Sequence, residues 1–309
     1  MKCGIFYSMA GSWAVALRDI GIPIAWHICA KEFHKPFALN FPEVPLFAPY
    51  PSNLELVDMI VGSPPCVGMS IGNRKFEGNE SEARPEHDAN RITIDFARTV
   101  SNFMPKAFIM EMVPAFMSDK FKSLFDEYMA LLADYNVKAD VINFADYGVP
   151  QTRKRAIIIG LRKDLGKLPV FPLPFTTEKN ERTTVRQAFA GLPTLTEDEA
   201  VAQKLTRKFN PLWKGPRSKY LLTKHKLKLD WDSPSWTVSA LDTVYFKHPE
   251  SIRLITWREA ARLQEFPDDF RFEGGFAKCV KHAAWGVPCK GISHFIAAAI
   301  SEILEFEGE

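Results

Sequence analysis

The sequence predicts an α/β fold, a doubly wound sheet, with a second, smaller and irregular domain. Three observations carry that reading. Short apolar segments recur at 3–7, 22–28, 57–61, 107–110 and 156–160, with the length and texture of buried strands. Helical patterns at 13–20 and 92–103 alternate with them, the signature of strands joined by crossovers and therefore of parallel pairing. From about Leu168 to Trp231 the texture turns Pro-rich and basic, with Pro169, Pro172, Pro174, Pro193, Pro211 and Pro216.

The chain opens with a strand over 3–7, a Ser/Gly turn, a helix over 13–20, a stop at Gly21 and a second strand over 22–28, a βαβ start. The run Val57-Asp58-Met59-Ile60-Val61 is a strand leading into Gly-Ser-Pro-Pro, and 107–110 is another, entered from a helix. In sheets of this kind ligands bind beyond the carboxyl ends of the strands, and three of those ends carry Ser8, Cys66 and Glu111. The strand at 156–160 is followed by the irregular domain, then by an amphipathic helix over 256–270 closed by Pro267 and a last apolar helix over 293–306. The expected boundaries are 1–165 for the main domain, 166–247 for the second, and 248–309 for a segment packing back onto the first.

At 309 residues, 46% hydrophobic, 25% charged and with a net charge of +2, the chain has length enough for a proper core and is not wholesale disordered. Global charge names no partner, but local charge does. Between Ala200 and Leu229 stand Lys204, Arg207, Lys208, Lys214, Arg217, Lys219, Lys224, Lys226 and Lys228 with no Asp or Glu, a polyanion-facing segment or a solvated loop. The five cysteines are scattered and lack a Cys-x-x-Cys pair, which points to a reducing interior and to no structural zinc. No basic-then-apolar leader pattern opens the chain, and no apolar run nears the ~20 residues that span a bilayer.

Gly62-Ser63-Pro64-Pro65-Cys66-Val67-Gly68-Met69-Ser70 sets a cysteine on a turn stiffened by two prolines. A lone loop cysteine is more often structural than nucleophilic; here its company argues otherwise. Glu111-Met112-Val113-Pro114 ends the next strand, so its carboxylate shares the thiol's edge of the sheet. Gln151-Thr152-Arg153-Lys154-Arg155 then enters a buried strand with two guanidiniums on one side if extended, an arrangement that binds phosphate or carboxylate.

These elements resemble, in order and along nearly the whole chain, the cytosine-5 DNA methyltransferase family. Residues 62–70 resemble its Gly-Gly-Pro-Pro-Cys-Gln-Gly-Phe-Ser motif, Glu111-Met112-Val113 its Glu-Asn-Val, and 151–155 match its Gln-x-Arg-x-Arg. Thr256 to Pro267 is close to the ninth motif, while Thr183 to Pro193 and Asp230 to Val238 look like the opening and close of a target-recognition domain. The resemblance implies a Rossmann-like sheet of the class I methyltransferase fold and a methyl transfer from S-adenosylmethionine, or a modified analogue, without a metal. Cys66 would add to C6 of an extruded cytosine, Glu111 would hold or deliver a proton at N3, and Arg153 and Arg155 would hold the base oxygen, Glu111 or a phosphate. The donor is expected against Phe6, Tyr7, Ser8, Ala10, Gly11, Ser12, Cys29, Pro64 and Trp285, with Trp26 offering a further ring. Duplex DNA is expected at Ser70, Arg74, Gln151, Lys204, Arg207, Lys208, Arg217, Lys219, Lys224, Lys226 and Lys228, with the stretch 68–90 closing over the base. A monomer in the cytoplasm of a prokaryotic or phage-infected cell, serving restriction, self-protection or regulation, completes the expectation.

The donor motif departs from the family. Phe-Ser-Gly-x-Gly-Gly appears here as Tyr7-Ser8-Met9-Ala10-Gly11-Ser12, and the stretch after the second strand, where the family places an acidic residue on the donor's ribose, reads Ile28-Cys29-Ala30-Lys31. Gln after the nucleophile is Val67, Asn after the glutamate is Met112, and Gly-Asn-Ala-Val-Pro is Ala284-Trp285-Gly286-Val287-Pro288. Three readings stay open on the sequence: a methyltransferase with a divergent pocket, the same cytosine activation with an altered donor or another C5 substituent, and an inactive DNA-binding relative. An RNA methyltransferase of the same fold has no feature in its favour.

Overall fold

The computed structural model describes residues 1–49, 51, 53–66, 68–69, 87–176, 178–195, 228–239, 243, 246–250 and 253–307. Its sheet contains β1 (Cys3–Phe6), β2 (Ile24–Ile28), β3 (Leu46–Phe47), β4 (Met59–Gly62), β5 (Ala107–Met112), β6 (Tyr135–Asn143) and β8 (Lys154–Arg162) in the order β3-β2-β1-β4-β5-β8-β6. The first five strands pair in parallel. The parallel pairing expected of a doubly wound sheet holds for these five strands and gives way at the far edge, where β8 is antiparallel to both β5 and β6. The cause is connectivity: β6 returns through a ten-residue turn, far too short for a crossover, and within it β7 (Gln151–Thr152) leaves the sheet to pair with β9 (Ser235–Trp236).

Helices cover both faces. On one, α1 (Ser12–Asp19) packs Trp13 and Leu17, and α2 (His34–Ala38) packs Phe37, into the same core as Ile292, Phe295, Ile296 and Ile303 of α8 (Cys289–Glu307). On the other, α3 (Arg91–Phe103) buries Ile94, Phe96, Ala97 and Val100 beside Leu124 and Tyr128 of α4 (Lys122–Ala130). The long helix α3 ends where Met104 turns left-handed at φ 48° and bonds back to Val100 O at 2.9 Å, with Pro105 forbidding another turn. The span 276–305 is apolar enough in composition to cross a membrane, more than the sequence reading allowed. It is two helices, α7 (Phe276–Ala284) and α8, and the buried face of α8 is occupied by the sheet core.

A third apolar cluster joins the irregular segment to the C-terminal helices. Val185 and Phe189 of α5 (Val185–Phe189), with Leu229, Val238 and Phe246, meet Ala260 and Leu263 of α6 (Trp257–Leu263) and Val280 and Ala284 of α7. Both α5 and α6 begin with a capping box, Thr184 with Gln187 and Thr256 with Glu259. Glu259 also holds Arg253 through two bonds of 2.9 and 2.7 Å, so the acid of the ninth motif is a structural residue. The helix expected over 256–270 stops at Leu263, since Glu265 sits at φ 62° and Pro267 follows.

Candidate active site

The antiparallel course of β8 decides the site. It brings the start of that strand to the edge at which β4 and β5 end, and Glu111 pairs with Ile157 two residues beyond Arg155, so both side chains rise from one face. Arg155 Nε lies 2.8 Å from Glu111 Oε1, and Arg153 Nη2 lies 3.9 Å from the same oxygen. Arg153 precedes the strand and is anchored to backbone at both terminal nitrogens: Nη1 bonds Val238 O at 2.8 Å and Nη2 bonds Gly286 O at 3.1 Å, while its buried Nε has no hydrogen-bond partner among the described residues. Burial, then the charge of Arg155, lowers Arg153 to about 9 against the opposing pull of Glu111 and Cys66, which leaves it a cation at neutral pH.

Cys66 is half-buried, at the end of the turn that leaves β4. Ser63 N reaches Phe6 O and Tyr7 O, both at 3.2 Å, Ser63 Oγ accepts the Trp13 indole N–H at 2.8 Å, and Met69 N closes a turn onto Cys66 O at 3.0 Å. The thiol thus stands on a segment tied to the end of β1 and to Trp13 of α1. Burial pushes the Cys66 thiol up; the Arg155 cation opposes this, Glu111 adds to it, and Arg153 opposes it in turn. A sulfur, a carboxylate and two guanidiniums from three elements therefore share one electrostatic neighbourhood.

Behind it lies a ring of buried amides. Gln151 was expected to face DNA, and it does not: the residue is fully buried. Its amide donates to Leu263 O and Gln264 Oε1, each at 2.6 Å, and its carbonyl oxygen accepts from Val238 N at 2.9 Å. Gln264 then donates to Ala283 O and to Gly286 O, the carbonyl that also receives Arg153. The segments around 151, 238, 264 and 286 are thereby joined through one polar network in which the side-chain amides of Gln151 and Gln264 are matched. Gly286 is required here, because a Cβ would stand 2.6 Å from Ser12 Oγ.

Of the residues expected at the donor, only some meet. A cavity of about 340 Å³ opens beyond the ends of β1 and β2, lined by Phe6, Tyr7, Ile28, Pro49, Pro51 and Leu54 on one side and by Ile92, Asp95, Arg98, Thr99, Asn102 and Phe103 of α3 on the other. Of the residues expected at the donor, Phe6 and Tyr7 line this cavity, with Tyr7 held at φ 59°. Ser8, Ala10, Gly11, Ser12, Cys29, Pro64 and Trp285 do not line it. The physical reasons are local. Ser8 Oγ accepts from Trp13 N at 2.9 Å and Ser12 Oγ from Val287 N at 3.1 Å, so both hydroxyls turn inward. Ala10, Ser12 and Cys29 are core residues, Pro64 is buried in the turn, and Gly11 supplies the φ of 121° that starts α1. Trp285 is 42% exposed and packs edge-on against Phe33, 5.7 Å away. Trp26 is buried beneath the sheet, its indole donating to Glu55 O at 2.9 Å.

The sequence reading missed His27, whose Nε2 accepts the Ser8 N–H at 3.0 Å; burial, with His34 nearby, lowers it to about 3, so the ring is neutral. It also missed the polar stripe of α3, whose i, i+3, i+4, i+7 spacing at 95, 98, 99 and 102 was the available signal. Among the residues expected to face DNA, Lys228 is exposed and forms a bridge with Lys247. Ser70, Arg74, Lys204, Arg207, Lys208, Arg217, Lys219, Lys224 and Lys226 lie outside the described residues, as does most of the expected closing stretch.

Comparison with known proteins supplies what geometry alone does not. The profile of the family described as C-5 cytosine-specific DNA methylase matches residues 7–301. Type II methyltransferase M.MthTI of Methanothermobacter thermautotrophicus is 27% identical over 305 residues, covering 88% of this chain and 88% of the relative. Type II methyltransferase M1.HphI of Haemophilus parahaemolyticus is 33% identical over 244 residues, 72% of this chain and 62% of its own. Among solved structures, a prophage-encoded E. coli protein described as a DNA modification methyltransferase superposes with a TM-score of 0.72 at 21% identity over 99% of both chains. S. pombe Dnmt2 does so with a TM-score of 0.62 at 15% identity, over 98% of this chain and 99% of that one. At such identities the structural likeness establishes the fold, while the sequence profile runs from the end of β1 through the Cys66 turn and into α8. This chain belongs to the C-5 cytosine-specific DNA methylase family.

Proposed function

We propose that this enzyme methylates C5 of a cytosine flipped out of duplex DNA, through a covalent bond between Cys66 and C6. One observation carries the reading: Glu111, paired with Arg155 at 2.8 Å, shares a single strand-end neighbourhood with the Cys66 thiol. Cytosine C5 is a poor nucleophile. Addition of the Cys66 thiolate to C6, with Glu111 holding a proton at N3, makes C5 enamine-like. Arg155 fixes the carboxylate that must face the ring, and Arg153 fixes the backbone at 238 and 286 around it. Loss of the C5 proton then lets Cys66 leave and restores the aromatic ring. The thiol cannot reach C6 inside a stacked duplex, which is why the base must be extruded.

Family membership implies S-adenosylmethionine as methyl donor, and its role when bound is to supply an electrophilic methyl group. The residues present fit it. The cavity is within the volume range of small-ligand sites, lies beyond the carboxyl ends of β1 and β2, and combines the apolar walls of Phe6, Ile28 and Leu54 with polar groups on α3. A second reading, cytosine activation with a modified donor, is favoured by the failure of Ala10, Gly11, Ser12 and Cys29 to reach that cavity. Duplex DNA as substrate, a monomeric enzyme, a cytoplasmic setting and a role in restriction–modification like that of the type II relatives belong to the same proposal.

The test is incubation with duplex DNA containing 5-fluorocytosine, with and without S-adenosylmethionine, followed by mass measurement of the trapped species. A covalent adduct carrying one methyl group is expected, and a different added mass would select the second reading. Cys66→Ser should abolish the adduct while retaining DNA binding; undiminished turnover in that variant would refute the nucleophile.

A further inference from the structure

We propose that this enzyme reads the adenosine end of its donor from α3, through acceptors supplied by Asp95 and Thr99, rather than from the end of β2. The inference rests on the methyltransferase reading and deepens it. Beyond β2 the chain runs Ile28-Cys29-Ala30-Lys31 before its first acid, Glu32, and of that stretch only Ile28, not Glu32, lines the cavity. Among the described lining residues the single carboxylate is Asp95. Its side chain is 13% exposed and is oriented by Arg98 Nη1, 3.2 Å from Oδ1. One turn on, Thr99 Oγ1 donates its hydrogen to Asp95 O at 2.7 Å, so the hydroxyl can present only lone pairs to the cavity. A carboxylate and an acceptor-only hydroxyl on one helical stripe call for a ligand edge made of donors.

The apolar lining says what that edge belongs to. Phe6, Ile28, Leu54, Ile92 and Phe103 form the kind of slot that takes a flat ring, while Asn102 and Arg98 stand at its solvent side. An adenosine offers two donor sets of the right kind, the ribose hydroxyls and the exocyclic amine. Both are neutral donors to a charged or oriented acceptor, so the shared chemistry is an N–H or O–H edge on a purine nucleoside.

The experiment is calorimetric binding of S-adenosylhomocysteine and of 5′-methylthioadenosine to the full chain, without DNA or turnover. Asp95→Ala is expected to weaken both ligands about tenfold or more, and Thr99→Val about three- to tenfold, the usual weight of a charged and a neutral hydrogen bond. Equal losses for the two ligands place the contact on the nucleoside, since the second lacks the amino-acid portion. In the wild type, masking the diol as an isopropylidene or dimethylating N6 should each be compared: the modification whose penalty disappears in Asp95→Ala identifies the group held. Thr99→Val is nearly isosteric and keeps the test decisive if Asp95→Ala fails to fold. Wild-type affinity in both variants would overturn this inference and leave the methyltransferase reading standing. No binding of S-adenosylhomocysteine by the wild type would overturn both.

Discussion

Replacing Glu111 by Gln and Arg155 by Met, singly and together, measures whether the candidate site is assembled before any substrate arrives. Two unit charges 2.8 Å apart attract by about 6 kcal/mol at an effective dielectric near 20, and the 3.9 Å approach of Arg153 adds about 4 kcal/mol by the same arithmetic. Both terms are gross, since desolvation of groups only 7%, 3% and 17% exposed removes several kcal/mol. The asymmetry survives the subtraction. Arg155→Met leaves Glu111 facing Arg153 and should cost about 2–3 kcal/mol, whereas Glu111→Gln leaves two guanidiniums without a counter-charge and should cost about 3–5 kcal/mol. Once one partner is gone the other has little left to lose, so the double variant should fall about 2 kcal/mol short of the summed singles. Equilibrium denaturant unfolding at pH 7.5, followed by fluorescence, gives all three values. A coupling below about 0.5 kcal/mol, or a costlier Arg155→Met than Glu111→Gln, would refute a preformed ion pair.

The remaining expectations follow from single residues. Because burial holds the Cys66 thiol up, iodoacetamide should label it slowly at pH 7 and faster as pH rises; Glu111→Gln should move that profile to lower pH and Arg155→Met to higher, and shifts of the reverse sign would dissolve the electrostatic account. Glu265 accepts Gly291 N–H at 2.8 Å at the start of α8, and burial raises it from 4.5 to about 7. Its folded form thus holds a proton the unfolded chain releases: the stability it contributes is full below about pH 4.5 and disappears as pH climbs through about 7. At pH 8 Glu265→Gln should therefore be more stable than wild type by about 1–3 kcal/mol, with the two converging at pH 4.5. Thermal unfolding across that range decides it, and a constant difference would exclude the linkage. Gln151→Leu should cost about 2–4 kcal/mol by stranding Val238 N, Leu263 O and the Gln264 amide, with DNA affinity of the folded fraction unchanged. Weakened DNA binding at full stability would return Gln151 to the interface.

Much of this was legible from residue order. The apolar segments at 3–7, 57–61 and 107–110 became β1, β4 and β5, and the residues at their ends do gather along one edge. What the sequence did not show was direction. Ala156-Ile157-Ile158-Ile159 reads the same whichever way it enters the sheet, and an all-parallel reading would have sent Arg153 and Arg155 to the edge opposite Cys66. Side-chain facing was equally hidden. Ser8 and Ser12 stand in the right loop for a donor, but their hydroxyls satisfy Trp13 N and Val287 N, a choice set by atoms five and 275 residues away. Gln151 shared a motif with two site arginines and so was grouped with them, although its partners at 238, 263 and 264 are distant in sequence. Conversely, the polar stripe of α3 went unremarked, since what it faces, the ends of β1 and β2, is distant in sequence.

The ladder between β5 and β8 has a further implication for how such an enzyme can vary. Six registered residue pairs, from Ala107 with Leu161 to Met112 with Ala156, set where the Arg155 guanidinium emerges relative to Glu111. The part of the preceding turn before Gln151 and Arg153, residues 144–150, has no share in that registration, so it can lengthen or shorten while the acid and its cation stay matched. Loss of one residue inside the ladder is another matter, since it would invert every side chain downstream of the slip and send the cation to the far face.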